Sequence, residues 1–316
     1  MARLEASPSR WLFRGARIAT PTPRMLVVRL GFTWRRFPYA LTAIAAAPRD
    51  VRGPFRLVSA SAKRVVVRRG GRMVVFRRLD AVAAVREFRA GRLDEAPVPI
   101  GDAEFLRHDF DVRRRELLAL DLVVFGRAIG PRLRRAYADT ANRGDYQALF
   151  DTSAAYGIVG GAAGKADPAA FRRALKAIPE LPRVVVPIAR PAALDYGADI
   201  LYGQWREAGL GPVLVRSSES HDAEVTRLLA RYPQAEALPA ALALGRGVGE
   251  RRVLLRALAR VNQEGELARF DDELRASARV IPIAWVTDVR LVSRRLRCWR
   301  EDVLGNVDYA RVRIRG

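Results

Sequence analysis

The sequence predicts an α/β protein. Between Asp121 and Ser217, apolar β-like runs alternate with helical patterns in the order strand, helix, helix, strand, helix, strand. This alternation favours a layer of parallel strands joined by helical crossovers. A group of short strands precedes the region, and β-like runs return from Val280 onward. The chain has 316 residues, enough for two domains, and half of them are apolar, so it can bury a substantial core.

The N-terminal third begins with β-rich Arg24–Leu30, which follows two prolines, and continues into an apolar, helix-like segment that ends at Pro48. Three strands are predicted next: Phe55–Ser59, Arg64–Arg68 and Met73–Arg77. The sequence Gly70-Gly71 supplies a hairpin turn between the last two strands. This part of the chain therefore predicts an antiparallel group of strands.

A helix follows these strands, because Val82, Val85 and Phe88 recur at helical spacing and Gly91 stands at a C-cap position. Leu117–Phe125 then predicts a buried strand. The remaining expected elements are helices at 132–143, 145–150, 167–181 and 191–209, strands at Arg183–Ile188, 212–217, Val280–Val286, Val289–Val292 and Val312–Ile314, and a mostly helical stretch at 219–279.

The formal net charge is +22, and because only three of the 56 basic residues are lysine, 53 are arginine. One interpretation is an electrostatic surface for nucleic acid or another polyanion. The other is that solvated faces carry arginine where other proteins carry lysine or glutamine. The basic residues are spread along the chain and are not interleaved with aromatic residues. We therefore expect no nucleic-acid partner.

Cys298 is the single cysteine, so no intrachain disulfide can form, and we expect it to be half-buried. His108 and His221 lie far apart, which disfavours a Cys/His metal site. No metal or cofactor is expected. No apolar run approaches the roughly 20 residues of a membrane-spanning helix. The charged N-terminal stretch does not resemble a signal peptide.

The sequence contains only incomplete matches to known catalytic motifs. The segment at 160–165, "GGAAGK", resembles a phosphate-binding loop, but Ala166 replaces the hydroxyl residue that would bind magnesium. No Gly-x-Ser-x-Gly motif is present, and no nucleophile can be assigned to the pair His221-Asp222. Asp271–Glu273 lies among arginines at helical spacing, as on a solvated helix face. The sequence therefore predicts a protein that is not an enzyme.

In their order, several landmarks resemble the extracellular solute-binding proteins of family 5, the oligopeptide, dipeptide and nickel type that serve ABC importers. They are the turn Gly53-Pro54-Phe55, the helix ending in Gly91 and Asp94, the strand at Leu117–Phe125 with the helix after it, the helix-turn-strand at Gly209, and the closing strands with Trp299 and Gly305. The resemblance runs through nearly all of the chain.

This resemblance implies a bilobal periplasmic-binding-protein type II-like α/β fold. Partial lobe I would be residues 1–120 and 276–316, and lobe II would be residues 121–275, with crossings near Leu120 and Arg275. Met1 falls where a full-length member would already be well inside lobe I, so lobe I is expected to be incomplete. In the family the crossover strand normally ends in Asn, whereas Gly126 stands there in this chain.

The resemblance also implies a ligand site in a cleft between the lobes, with Tyr232, Gln234 and Trp285 as candidate wall residues. Tyr232 belongs to "RYPQAEA", which takes the place of a Trp-x-x-Asp-Tyr-Pro loop. The acidic residue of the family that would hold a peptide amino group is not evident. Core or interface packing is the alternative for these aromatic residues, and equally for Trp205 and Trp299.

Three functions remain open. The first, by resemblance, is the substrate-binding component of an ABC importer: an extracytoplasmic monomer that captures a peptide or similar small solute and docks on a permease. The second is a truncated, non-transporting remnant that needs a partner to supply missing strands. The third is non-specific binding of nucleic acid or an anionic surface through the arginine excess.

Overall fold

The computed structural model describes residues 9–43, 53–99, 101–159, 167–191 and 194–315. The loop resembling a phosphate-binding loop, at 160–165, lies outside the described residues, as does the predicted helix end at Pro48. The strands are β1 (Arg17–Thr22), β2 (Met25–Arg29), β3 (Arg56–Ala60), β4 (Arg64–Arg69), β5 (Arg72–Arg77), β6 (Glu95–Pro97), β7 (Val112–Phe125), β8 (Ser153–Ala154), β9 (Val186–Arg190), β10 (Pro212–Arg216), β11 (Ala223–Leu229), β12 (Val280–Val292), β13 (Leu296–Arg297) and β14 (Arg313–Ile314).

The α-helices are α1 (Phe37–Ala40), α2 (Ala81–Arg89), α3 (Ala103–Leu106), α4 (Pro131–Thr140), α5 (Arg143–Phe150), α6 (Pro168–Ala177), α7 (Asp195–Glu207), α8 (Ala237–Ala240), α9 (Arg251–Ala259) and α10 (Glu264–Ser277). Short 3₁₀ turns lie at Arg10–Phe13, Leu41–Ala43 and Ile178–Glu180, and a π-helical turn lies at Ala241–Arg246. The mixed α/β class predicted from the sequence is confirmed.

Backbone contacts divide the chain into two compact units. The first unit contains Met1–Ile44, Leu118–Ala148 and Thr152–Val286, and the second contains Ala45–Leu117, Leu149–Asp151 and Thr287–Gly316. The N-terminal residues thus belong to the unit that holds most of predicted lobe II, although the sequence predicts them in lobe I. The predicted lobe boundaries stay a prediction.

The first unit is built on a sheet in which the strand order is β10-β9-β11-β7-β12, with β8 also paired to β12. β9 and β10 are parallel and are connected by α7, so the predicted strand–helix–strand crossover is confirmed here. β11 is parallel to β9 but antiparallel to β7. The expectation of parallel pairing throughout 121–217 is therefore wrong for β7, because β11 separates it from β9.

The main error in the predicted secondary structure concerns β11, because residues 219–279 were expected to be mostly helical. Ala223–Leu229 instead pairs residue by residue with β7, from Ala223 opposite Phe125 to Leu229 opposite Ala119. The sheet supplies hydrogen-bond partners and apolar neighbours that a local pattern does not show, so tertiary pairing decides the conformation. The rest of the stretch is helical where it was expected to be, in α8, α9 and α10.

Strand β9 starts three residues later than predicted. Val184 and Val185 are 42% and 63% exposed, whereas Val186 is fully buried and its N–H donates to Gly211 O at 2.8 Å. The parallel pairing with β10 also begins at this residue. The apolar run alone could not show where pairing begins.

The second unit contains the predicted three-stranded antiparallel sheet, in the order β3-β4-β5. Elsewhere in the unit, β6 pairs with the end of β12 and β13 pairs with β14. The predicted strands at Val280–Val286 and Val289–Val292 form one continuous strand, β12, which begins in the first unit and ends in the second. β7 similarly contributes residues to both units.

Helix α2 contributes Ala84, Val85 and Phe88 to a small core of the second unit. The other buried members of this core are Ala96, Leu106 and Leu291. Asp80 caps the N-terminus of α2 by accepting the Ala83 N–H at 2.8 Å. Gly91 has a φ of +69°, as expected for a glycine that ends a helix. Val82 is 69% exposed, so this member of the predicted apolar stripe does not face the core.

Cys298 is exposed, which corrects the expectation that it is half-buried. Its φ of +59° lies in the left-handed region. Among the described residues, no helix combines the length and the apolar composition that crossing a membrane requires. Within the same residues, no three His, Cys, Asp or Glu side chains come together as a metal site.

Candidate functional site

Tyr232 and Gln234 lie in one polar cluster of the first unit, together with three residues that the sequence analysis did not select. We call the set of Trp34, Arg36, Tyr232, Gln234 and Glu236 the Tyr232 cluster. Its two segments are far apart in sequence and are brought together by the fold. One precedes α1, and the other follows β11 and leads into α8.

Local hydrogen bonds fix the second segment as a series of tight turns. The N–H of Gln234 donates to Tyr232 O at 3.0 Å, and the N–H of Ala237 donates to Gln234 O at 3.0 Å. Glu236 O then accepts the Ala240 N–H at 2.8 Å, so Glu236 stands at the N-cap of α8. The prolines at both ends of this stretch also limit its conformations.

The cluster is closed to solvent at its centre. Tyr232 and Glu236 are 0% exposed, Trp34 is 6% exposed, and the Trp34 and Tyr232 ring centroids are 6.3 Å apart. Arg36 reaches in from the surface. Its Nη1 donates to Gln234 Oε1 at 3.0 Å and lies 3.9 Å from Glu236 Oε2.

Four polar atoms at this buried centre have no hydrogen-bond partner within the described part of the chain: Trp34 Nε1, the Tyr232 hydroxyl and both carboxylate oxygens of Glu236. Leaving a buried donor or acceptor unpaired costs on the order of 1–3 kcal/mol, and more for a charged group. So concentrated a set of unsatisfied groups is unusual for a structural core.

Burial dominates the electrostatics of the cluster. It raises the pKa of Glu236, while Arg36 and the indole N–H of Trp34 act in the opposite direction. Trp34 is thus close enough to affect the carboxyl group, although the contact falls short of hydrogen-bond geometry. Burial also raises the pKa of Tyr232, with the Glu236 charge as a second cause. The backbone N–H of Glu236 also lowers its pKa, so burial is opposed by three groups and still prevails.

Chemically, this arrangement is suited to binding. Glu236 can accept hydrogen bonds from an ammonium or amide group, and the Tyr232 hydroxyl and Trp34 N–H can donate to a carbonyl oxygen. Among the five residues there is no hydroxyl or thiol nucleophile hydrogen-bonded to a base. Because Tyr232 and Glu236 are fully buried, the cluster must open before a ligand can touch them.

Trp285, the third predicted residue, lies elsewhere in the first unit. It is half-buried on β12 and pairs with Ser153 of β8. Within the described residues, no hydrogen bond or ring contact joins it to Tyr232 or Gln234. The fold thus brings two of the three predicted site residues together and leaves Trp285 apart from them.

The other two aromatic residues that the sequence analysis considered are packed in their own units. Trp205 is fully buried, and its Nε1 donates to Tyr137 O at 3.0 Å. Trp299 is half-buried, and its Nε1 donates to Glu95 Oε2 at 2.7 Å. Both indoles thus have satisfied polar groups, as expected for packing residues.

Three residues of the Tyr232 cluster were not predicted from the sequence, and only one of them has a local sequence signal. Glu236 lies in the quoted stretch "RYPQAEA" and is an acidic residue just before the apolar run "ALPAALAL", which is a usable signal. Trp34 and Arg36 stand 200 or more positions earlier than Glu236, and no local pattern connects them to it. Only the tertiary fold places them beside Glu236.

No family model matches the chain, and no curated protein matches it by sequence. Its structure, however, is similar to several solved structures. AppA from Clostridium difficile superposes with a TM-score of 0.76 at 12% identity, over 99% of this chain and 82% of AppA. The murein tripeptide binding protein MppA of Escherichia coli gives 0.73 at 16% identity, over 94% of this chain and 74% of MppA.

A dipeptide binding protein from Pseudoalteromonas sp. SM9913, solved in complex with Met-Leu, gives a TM-score of 0.74 at 13% identity, over 95% of this chain and 75% of that protein. Similarity at this level of identity is a similarity of fold. The agreement extends over almost the whole chain in all three cases. This chain therefore has the periplasmic-binding-protein type II fold of the family 5 solute-binding proteins.

Proposed function

We propose that this protein is the substrate-binding component of an ABC importer and captures a peptide or similar small solute. The observation that carries the proposal is the fold, which is shared over 94% or more of the chain with a murein tripeptide binding protein and a dipeptide binding protein. The proposal includes no catalytic step. Its natural partner is a permease, and its place is outside the cytoplasmic membrane.

The Tyr232 cluster supports this proposal chemically. A peptide carries an ammonium group, amide N–H donors and carbonyl acceptors. Glu236 can accept from the first two, and the Tyr232 hydroxyl and Trp34 N–H can donate to the third. We propose that the cluster opens and that Glu236, Tyr232 and Gln234 contact the ligand. Trp285 stays a proposed wall residue, although within the described residues it makes no hydrogen bond or ring contact with Tyr232 or Gln234.

Peptide binding tests the proposal directly. The purified protein is titrated calorimetrically with the dipeptide Met-Leu and with a set of tripeptides, and its melting temperature is followed in parallel. A ligand present at 100 times its Kd should stabilise the fold by about 2.7 kcal/mol. Absence of binding and of thermal stabilisation across the whole peptide set would contradict the proposal.

Glu236→Gln separates a binding role from a packing role. The substitution removes a fully buried charge whose one ion pair, with Arg36 at 3.9 Å, is long, so the free energy of unfolding should change little or increase. Peptide affinity should fall at least tenfold, because the amide cannot offer a charge to the ligand ammonium group. Glu180→Gln, an exposed change in the same unit, is the matched control and should alter neither quantity. Unchanged peptide affinity in Glu236→Gln would exclude Glu236 from the site.

A further inference from the structure

The first unit has a second feature suited to binding, a cavity of about 720 Å³ that is separate from the Tyr232 cluster. Its walls are α4, the first turns of α6, the end of α10 and the first residues of β12. The volume lies within the range of roughly 300–1,000 Å³ found for small-molecule sites. None of the five residues of the Tyr232 cluster lines it.

Arg143 is the central charge of this cavity. Its Nε donates to Ala155 O at 2.7 Å and to Pro282 O at 2.9 Å, and its Nη1 donates to Ala141 O at 3.2 Å. The guanidinium carbon lies 4.5 Å from the centroid of the Tyr156 ring. These contacts hold the group in one orientation and leave Nη2 without a hydrogen-bond partner in the described part of the chain.

No carboxylate within the described residues lies within 4.0 Å of the Arg143 guanidinium. Partial burial lowers the pKa of Arg143, while Tyr156 and the Asp139 charge act in the opposite direction. Backbone carbonyls and a ring face compensate part of the cost of burying its charge, but they carry no net charge. An anion that reached Nη2 would supply what is missing, and the planar guanidinium is well matched to a carboxylate.

Asp139 is a matching unpaired anion in the same cavity. It is half-buried on α4, and within the described residues it has no hydrogen bond or ion pair. Burial is the main cause that raises its pKa, while Arg135, Arg173 and Arg143 act against it from a distance. Its carboxylate is therefore free to accept a cation from a ligand.

The other charges of the cavity are already compensated. Arg173 pairs with Asp167 at 3.3 Å, and Arg275 pairs with Asp272. Arg135 is exposed to water and donates to Ala276 O at 2.7 Å. Within the described residues, the half-buried charges of the cavity that have no ion-pair partner are thus one cation, Arg143, and one anion, Asp139. Two rings, Tyr156 and the 40%-exposed Phe171, supply apolar wall surface.

We propose that this cavity binds a free amino acid or a similarly small zwitterion, with its carboxylate on Arg143 Nη2 and its ammonium group on Asp139. A ligand with both charges neutralises both residues, whereas a ligand with one charge leaves the other half-buried residue without an ion-pair partner. The Tyr156 and Phe171 rings favour an apolar or aromatic side chain on the ligand. The site is independent of the peptide-binding role proposed above.

Three probes of nearly the same shape test the inference by calorimetric titration: L-phenylalanine, 3-phenylpropanoate, which lacks the ammonium group, and 2-phenylethylamine, which lacks the carboxylate. L-Phenylalanine should bind at least tenfold more tightly than either of the others. No measurable L-phenylalanine binding, or equal affinity for all three probes, would overturn the proposal.

Asp139→Asn provides the second measurement. It should reduce L-phenylalanine affinity to that of 3-phenylpropanoate and leave 3-phenylpropanoate affinity unchanged or higher. Arg132→Gln, an exposed change on the same helix outside the cavity, is the control and should alter neither affinity. If Asp139→Asn binds L-phenylalanine as the wild type does, the amino acid binds elsewhere and the assignment is wrong. Arg143 itself is unsuitable for substitution, because its three carbonyl contacts also stabilise the fold.

Discussion

At the residue scale, Gly249 shows how backbone conformation and packing jointly fix the choice of one amino acid. Its φ is +96°, outside the region that residues with side chains usually adopt. A β-carbon there would also lie 2.7 Å from Cζ of Phe270 and 3.0 Å from Cδ2 of Leu274. Phe270 and Leu274 are buried on α10, so neither ring nor methyl group can move easily.

We therefore expect Gly249→Ala to lower the free energy of unfolding by about 2–4 kcal/mol, from backbone strain and from overpacking. Gly247→Ala is the matched control, because Gly247 also has a positive φ (+67°) but has open space around it. It should cost only about 1–2 kcal/mol. Urea denaturation of the two variants measures the difference. Equal costs would mean that the contact with Phe270 is unimportant.

Gly126 illustrates a close backbone approach that favours a residue without a side chain. The N–H of Gly126 donates to Asp222 O at 2.7 Å, and a β-carbon would lie 3.0 Å from the same oxygen. The two backbones approach so closely at the end of β7 that a side chain would force them to move.

At the scale of elements, β12 is tied to the C-terminal segment by a group of charges centred on Arg290. The guanidinium donates to Glu95 at 2.5 Å and to Asp288 at 2.6 Å, and lies 2.9 Å from Glu301. Tyr309 and Trp299 donate to the other oxygen of Glu95. Three carboxyl groups thus share one arginine, which leaves an excess of negative charge if all three are ionised.

This excess makes stability depend on pH through Glu301. Burial, followed by the neighbouring Asp288 carboxylate, raises the pKa of Glu301 to about 8. Between its unfolded pKa, near 4.5, and about 8, the folded chain binds a proton that the unfolded chain has lost. The contribution of this residue to stability is therefore present in full below pH 4.5 and decreases as pH rises through 8.

Glu301→Gln mimics the protonated side chain at every pH. We expect the variant to match the wild type near pH 5 and to be more stable than the wild type near pH 8.5, as measured by chemical denaturation at both values. Glu116→Gln, an exposed change in the same unit, should show no such pH-dependent difference. A wild-type-to-variant difference that is the same at pH 5 and pH 8.5 would refute the raised pKa.

Strands whose pairing is local were predicted correctly, whereas a strand whose partners are distant in sequence was not. β3, β4 and β5 were predicted well, because a hairpin turn and short apolar runs specify an antiparallel sheet locally. β11 was predicted as helix, because its pairing with β7 joins residues about 100 positions apart. Arg227 of β11 even forms a bidentate ion pair with buried Asp121 of β7, which no local pattern shows.

At the scale of the whole molecule, the net charge of +22 raises the question of polyanion binding. Many arginines donate hydrogen bonds within the fold. Arg290 and Arg227 donate to carboxylates, and Arg143 donates to backbone carbonyls. The charge is also distributed along the whole sequence. Both observations favour a diffuse field over a specific nucleic-acid surface.

We expect duplex DNA to bind no more tightly than the roughly 10⁻⁴–10⁻⁶ M typical of non-specific contacts at physiological salt. The affinity should decrease with salt and should be the same for duplexes of different sequence. Fluorescence anisotropy with two labelled duplexes, titrated at several salt concentrations, measures both properties. Nanomolar affinity for one duplex but not for the other would show that nucleic acid is a genuine partner.

The sequence by itself determined the α/β class, the three-stranded sheet, the crossover from β9 to β10, and the order of landmarks that resembles family 5 solute-binding proteins. These depend on local patterns of apolar residues, turns and caps, which a sequence displays directly. The tertiary structure alone decided that β11 lies between β7 and β9, that Trp34 and Arg36 meet Glu236, and that Arg143 and Asp139 share a cavity. Each of these depends on which distant segments pack together, and packing depends on the whole chain rather than on any local pattern.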